Sequence, residues 1–259
     1  MLGLRLIIAI FFVIAAAAGG VALNVATDGR FLPGGETDTR VEATPPPEPF
    51  EPTLEWAASG EWRIQPERDV WRNPVKTLEF FGVENDDTVV EIWPGGGWYT
   101  SILGPYLNAG GGRLIAAGYA MEDSDFASGA MQAYADVFAA QPELYGAIEI
   151  TTFSETSDGL GVDGEADIVL TFRNVHNWMA GGWAEKAFAD AYRALKPGGV
   201  LGVVEHRLPS TAEQDPAAGA GYVQEALVIQ FAREAGFQFD GSSGVNSNPA
   251  DTTDHPFGV

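Results

Sequence analysis

Val89-Val90-Glu91-Ile92-Trp93-Pro94-Gly95-Gly96-Gly97-Trp98-Tyr99-Thr100 (VVEIWPGGGWYT, residues 89–100) is the stretch that decides the fold. A short β-branched run carrying one acidic residue reads as a buried strand. Three glycines then let the backbone turn sharply and approach a ligand closely. Tyr99–Leu107 follows as a helix, whose first N–H groups have no partner within it.

The same alternation runs outward from this point. Upstream, Pro66–Val83 predicts helix, broken at Asn73–Pro74, where proline starts a new one. Downstream, Arg113–Tyr119, Ile148–Phe153, Ala166–Phe172, Val200–Glu205 and Phe237–Asp240 predict strands. Between them Asp125–Ala140, Trp183–Leu195 and Ala220–Ala235 predict helices, and Lys196–Gly199 a turn. Strands separated by single helices imply right-handed crossovers and a parallel sheet covered on both faces. The class is therefore α/β, doubly wound and Rossmann-like. In such sheets ligands sit beyond the carboxyl ends of the strands, where the strand order reverses.

Two further segments sharpen the reading: ADIVLTFRNVHNW (166–178) and ALKPGGVLGVVEH (194–206). Together with EIWPGGG they resemble the class I S-adenosylmethionine-dependent methyltransferases, over residues 66–243 in order. The string from Asn73–Pro74 through Phe80-Phe81-Gly82 to PGGGWYT also looks like an exported branch of predicted methyltransferases. The resemblance implies S-adenosylmethionine as cofactor, held by Glu91, Pro94, Gly95, Gly96, Gly97, Tyr99, Arg173 and Asn174. It implies that Glu91 orders the loop and meets the methionine ammonium. In that family the first strand reads roughly acid-x-G-x-G-x-G; here Trp93 stands at the first glycine. The second strand of the family ends in an acid for the ribose; here it ends Ala117-Gly118-Tyr119, which moves that contact to Glu122 or Asp123. Glu155 is the nearest candidate for the adenine side.

The strand ends supply candidates for chemistry. Arg173 is suited to an anionic acceptor and His176 to a base near neutral pH; the alternative for this segment is a polar loop that caps the next helix through Asn177. Glu205 and His206 end the next strand and join the candidate catalytic set, as a proton-transfer pair with His176 or as metal ligands. No short His spacing of the metal-site kind is present, and adjacent strand residues point to opposite faces, so no metal is expected. Asp167 reads as a strand-start residue bonded to loop backbone. Trp98, Tyr99 and Trp178 are candidates for cleft walls or plain packing.

The chain has 259 residues, with 14 basic and 36 acidic side chains and a net charge of −22. Hydrophobic residues at 46% exclude a disordered chain, and the absence of cysteine excludes a disulfide scaffold, a thiol nucleophile and a cysteine metal site. No basic run suits nucleic acid or an anionic membrane surface. The partner expected is a small-molecule acceptor.

The uninterrupted apolar run Leu6–Ala18, behind the single charge of Arg5, reads as a signal-peptide core or the lower edge of a membrane span. Residues 1–26 are thus leader or anchor, 27–52 a proline-rich linker, and 53–259 the methyltransferase-like domain. Either form of the leader exports the body to the periplasm, and a membrane is met only through that anchor. An exported non-catalytic binding module on the same fold is the competing function, and a nicotinamide oxidoreductase is disfavoured because PGGG does not reproduce G-x-G-x-x-G. After Phe239 no alternating apolar run remains. The seventh strand that the resembling fold adds, antiparallel beside the sixth, is therefore expected to be missing, leaving six strands and an open edge.

Overall fold

The computed structural model describes residues 3–9 and 50–254. Strand β1 is Arg5–Ala9. Helix α1 (Leu54–Ser59) is followed by a 3-10 turn (Pro66–Arg68), α2 (Asp69–Arg72) and α3 (Pro74–Phe81). Then come β2 (Thr88–Ile92), α4 (Thr100–Gly110), β3 (Arg113–Gly118), α5 (Asp125–Phe138), α6 (Pro142–Tyr145) and β4 (Glu149–Thr152). The second half holds β5 (Ala166–Phe172), α7 (Val175–Gly181), α8 (Ala184–Ala194), β6 (Leu195–Val204), β7 (His206–Leu208), β8 (Tyr222–Gln224), α9 (Glu225–Ala235) and β9 (Gln238–Ser243).

The main sheet runs β4-β3-β2-β5-β6-β1-β9, and every pairing in it is parallel. The chain walks from β2 outward to β4, then returns to the other side of β2 with β5. The strand order therefore reverses between β2 and β5, and their carboxyl ends diverge there to leave a crevice. Val90 and Ile92 of β2 face a core shared with Phe188 and Phe231, while Val89 faces Leu78, Phe81 and Leu103. Burial on both faces explains why these strands read as continuous apolar runs.

The expected six-strand sheet is corrected to seven. The missing place is filled from the other end of the chain: β1 lies between β6 and β9, pairing Leu6 with Leu201 and with Phe239. Leu6 is fully buried, Leu4 and Ile8 join the core on its face, and Ile7 joins the opposite one. Five residues of the stretch expected as a leader are thus a core strand, and residues 1–2 and 10–26 of that leader and residues 27–49 of the linker lie outside the described residues. No described helix is long and apolar enough to cross a membrane. Residues 244–254 form no strand. Instead the side chain of buried Asn246 donates to Thr77 Oγ1 on α3 (2.9 Å). Two smaller corrections follow. Lys196–Gly199 belongs to β6, across a register shift against β5, and residues 175–181 are a helix.

Leu6→Ala empties a fully buried site and is expected to lower stability by about 2–5 kcal/mol. Arg5→Ala removes only an exposed pair with Asp240 and is expected to change it by less than about 1 kcal/mol. Denaturant unfolding of the full chain compares the two; equal midpoints for Leu6→Ala and the parent would show that β1 is not part of the sheet in solution.

Candidate active site

The carboxyl ends of β2, β5 and β6 open into a cavity of about 310 Å³, at the lower end of ligand-site volumes. Glu91 forms its floor. The side chain is 2% exposed, and its Oε2 accepts the Thr100 hydroxyl at 2.7 Å. That hydroxyl also meets the Tyr134 hydroxyl at 3.1 Å. Burial pushes the Glu91 carboxyl up to about 7, against the smaller opposing effect of Thr100. Thr100 is the first residue of α4, so the acid and the helix start are tied together.

Between them the glycine loop turns. Gly95 and Gly97 have φ of +59° and +77°, and Trp93 has φ of +48°. The position expected to carry glycine thus keeps a left-handed backbone while holding a tryptophan, a conformation that costs on the order of 1 kcal/mol. Trp93 is held there by donating from Nε1 to the Phe153 carbonyl (2.9 Å) and by packing on Tyr119, Phe153, Trp178 and Trp183. A Cβ on Gly96 would meet nothing within 4 Å, whereas one on Gly97 would lie 2.1 Å from the Phe138 ring. Gly96 therefore faces the cavity, and Gly97 is small because the core needs it to be.

The opposite wall comes from β5 and β6. Arg173 continues the ladder through its N–H to the Val204 carbonyl (2.7 Å) and then turns at φ of +61°. Asn174 donates its side-chain amide to the Ile92 carbonyl (3.0 Å) and to Thr171 Oγ1 (3.1 Å), which locks the ends of β2 and β5 together. Glu205 is buried and accepts from the backbone N–H groups of His176 (3.3 Å) and His206 (2.9 Å). Its Oε1 lies 3.1 Å from His176 Nδ1. The start of α7 is therefore capped by Glu205, not through Asn177, which is exposed. His206 packs edge-on against Tyr222, and burial pulls its imidazole down to about 4, so it is neutral at pH 7.

Of the residues singled out in the sequence, Glu91, Pro94, Gly95, Gly96, Tyr99, Arg173, Asn174, His176 and His206 line this one cavity, and Glu205 stands directly behind His176. Gly97 lies beneath it. Glu122 and Glu155 are exposed and do not line it. Nor does β3 end in an acid: a Cβ on Gly118 would lie 2.3 Å from the Met131 methyl, so packing requires glycine there. Asp167 accepts from the Thr88 N–H (2.9 Å) and pairs with Lys196, a strand-start role. Trp98 is a wall; Trp178 is core. No three metal-ligating side chains converge among the described residues.

Sequence reasoning missed Arg68 and Arg72, which reach the cavity from the segment before α3. Arg72 lies over the Trp98 ring at 5.0 Å, and Tyr99 stacks on Phe172 at 3.6 Å between centroids. The available signal was local: Arg63, Arg68 and Arg72 crowd into ten residues of a chain with only 14 basic side chains.

No known family's sequence profile matches the chain, and no curated protein matches it in sequence. Solved structures resemble it in architecture. The [4+2]-cyclase SpnF is 14% identical, with a TM-score of 0.51 over 69% of this chain and 60% of that one. A SAM-dependent methyltransferase from Aquifex aeolicus is 19% identical, with a TM-score of 0.48 over 66% of this chain and 83% of that one. The arsenic(III) S-adenosylmethionine methyltransferase CrArsM from Chlamydomonas reinhardtii is 18% identical, with a TM-score of 0.46 over 60% of this chain. The matched part spans about half, 52%, of that enzyme. The fold is a doubly wound, Rossmann-like α/β fold with a parallel seven-strand sheet, in which the amino-terminal segment takes the place between β6 and β9.

Proposed function

We propose that this chain transfers a methyl group from S-adenosylmethionine to a small-molecule acceptor in the cavity at the ends of β2, β5 and β6. The observation that carries the reading is one cavity with a glycine loop and buried acid on one wall and a carboxylate-held histidine on the other. The residues fit the cofactor. Glu91 is held by neutral hydroxyls and suits an ammonium group; Gly96 leaves the loop open; the rings of Trp93 and Tyr119 would hold a flat base. The cofactor supplies a methyl carbon on a sulfonium: the acceptor's lone pair forms the new bond, and the carbon–sulfur pair stays on sulfur. Where the acceptor carries a proton, His176 takes it on Nε2, since Nδ1 is engaged by Glu205. Arg173 and Asn174 fix the wall between the two ligands. Most of the rate then comes from alignment.

A second reading, a non-catalytic binding module, is favoured by Trp93 at the glycine position and by Gly118 at the end of β3. Titration of S-adenosylhomocysteine into the full chain decides whether a cofactor site exists at all. Export of the body is a separate proposal that rests on Arg5 and the apolar run after it, and it is the competing use of that run, since a leader or span cannot also be β1; a phosphatase fused after residue 60 is expected to be active in a bacterial host, and an inactive, cytosolic fusion would refute it.

Gly96→Val is expected to weaken S-adenosylhomocysteine binding at least tenfold with an unchanged melting temperature. Gly97→Val instead collides with Phe138 and is expected to lower the melting temperature itself. The reverse pattern, measured by calorimetry on both variants, would show that the loop does not face the ligand.

The Glu91 carboxyl, near 7 in the folded chain, links binding to pH. Ligand affinity is expected to fall about tenfold per unit below pH 7 and to level off above it, and Glu91→Gln to bind weakly at all pH values. Stability runs the other way. A carboxyl raised from 4.5 to about 7 is ionised in the unfolded chain first, so stability falls as pH rises through that window. Glu91→Gln removes this loss, and thermal unfolding at pH 5 and pH 8 checks it.

A further inference from the structure

Arg68, Arg72 and Arg173 line the same cavity wall, and among the described residues none of them pairs with a carboxylate. Elsewhere most of the described cations are paired with acids. Arg63 holds Asp69 at 2.7 Å, Arg113 holds Glu149 at 3.0 Å, Lys196 holds Asp167 at 2.8 Å and Arg207 holds Glu225 at 2.9 Å. In a chain of net charge −22 this makes a local positive field inside the one crevice where the strand order reverses. The three side chains are positioned from different elements. Arg68 receives Gln65 as hydrogen-bond acceptor at 3.0 Å, Arg72 rests on Trp98, and Arg173 is thrown over the cavity by a left-handed backbone.

Burial first, and their mutual repulsion second, disfavours the charge on the two inner guanidinium groups. Burial, then Arg173 and Arg68, lowers Arg72 to about 10. Burial and then Arg68 lower Arg173, with Glu205 and Tyr99 opposing. The acids nearby do not cancel the field. Glu205 is committed to His176 and two backbone N–H groups, and Glu91 answers only to burial and Thr100. The cavity is therefore bipolar, with an acid end and an arginine end.

Resting on the methyl-transfer reading, we propose that the acceptor is a small organic anion whose carboxylate or phosphate group is received by Arg68, Arg72 and Arg173. The cofactor does not satisfy this charge. It brings one carboxylate with an ammonium and a sulfonium, so its arrival makes the cavity more positive. One carboxylate occupies at most one of three guanidinium groups in the bidentate manner. The remaining groups call for a second anion, and the part-exposed ring of Phe172 beside them, backed by Tyr99, suits an organic body behind it.

The test is calorimetry on the full chain at constant ionic strength, first with S-adenosylhomocysteine alone. Inorganic phosphate and benzoate are then titrated into the S-adenosylhomocysteine-saturated protein, with benzylamine as a cationic control. Saturable binding of at least one anion is expected, weakened tenfold or more by Arg72→Gln and by Arg173→Gln, with no binding of benzylamine. Arg68→Gln and Arg72→Lys are carried alongside, with melting temperatures, so that a misfolded variant does not decide the result. If S-adenosylhomocysteine binds but neither anion does, or the anions bind equally well to all variants, the proposal fails while the methyl-transfer reading stands. If the anions displace S-adenosylhomocysteine, the arginines serve the cofactor's carboxylate and the acceptor assignment fails. If S-adenosylhomocysteine does not bind, the methyl-transfer reading fails and takes the acceptor with it. Benzoate and phosphate separate carboxylate from phosphate as the favoured head group.

Discussion

A carboxylate at the centre of a parallel sheet is the constraint around which this molecule is arranged. Glu91 sits between two apolar neighbours on a strand buried on both faces, where an ion is expensive unless it is hydrogen-bonded. The protein answers with Thr100 and, through it, Tyr134, and among the described residues no cation forms an ion pair with it. Because Thr100 opens α4, the helix start is fixed relative to the strand end, and the intervening loop must turn within a few residues. That tight turn forces left-handed backbone at Trp93, Gly95 and Gly97, and brings Gly97 against Phe138. The acid, the loop and the packing of α5 are thus joined through Thr100, Tyr134 and Phe138.

The other wall depends on a second buried acid used differently. Glu205 gathers the start of α7, the first residue of β7 and the imidazole of His176 into one set of hydrogen bonds. It fixes a histidine ring where Glu91 fixes a helix. The two acids therefore divide the work, one open to a ligand's charge and the other spent on geometry.

Much of this was legible in the sequence, for identifiable reasons. β2, β3, β5 and β6 are or contain apolar runs bounded by turn residues, and the order of the strands after the glycine loop needs only the alternation with helices. The candidates at the strand ends converge because a parallel sheet gathers all its carboxyl ends on one side. What escaped reading carried no mark that ties it to the strand ends. Residues 175–181 form a helix whose cap comes from Glu205, a residue 29 positions beyond His176. Arg68 and Arg72 lie more than twenty residues before the glycine loop, in short turns with no periodicity. Gly118 looked like a lost acid but is small to admit Met131. Leu6–Ile8 is ambiguous in principle, since an apolar run of that length is equally a leader core and a strand buried on both faces.

The placement of β1 orders events in time. Its two neighbours, β6 and β9, are made some two hundred residues after it, so while the chain grows its apolar segment has no sheet to enter. Loop closure over such a span is slow relative to local helix and hairpin formation. Residues 5–9 thus spend the whole of synthesis exposed, and whichever surface engages them in that interval competes with a strand position that does not yet exist. The same five residues stand unpaired while β6 and β9 are still to be made, and become a closed seam once those strands arrive on either side.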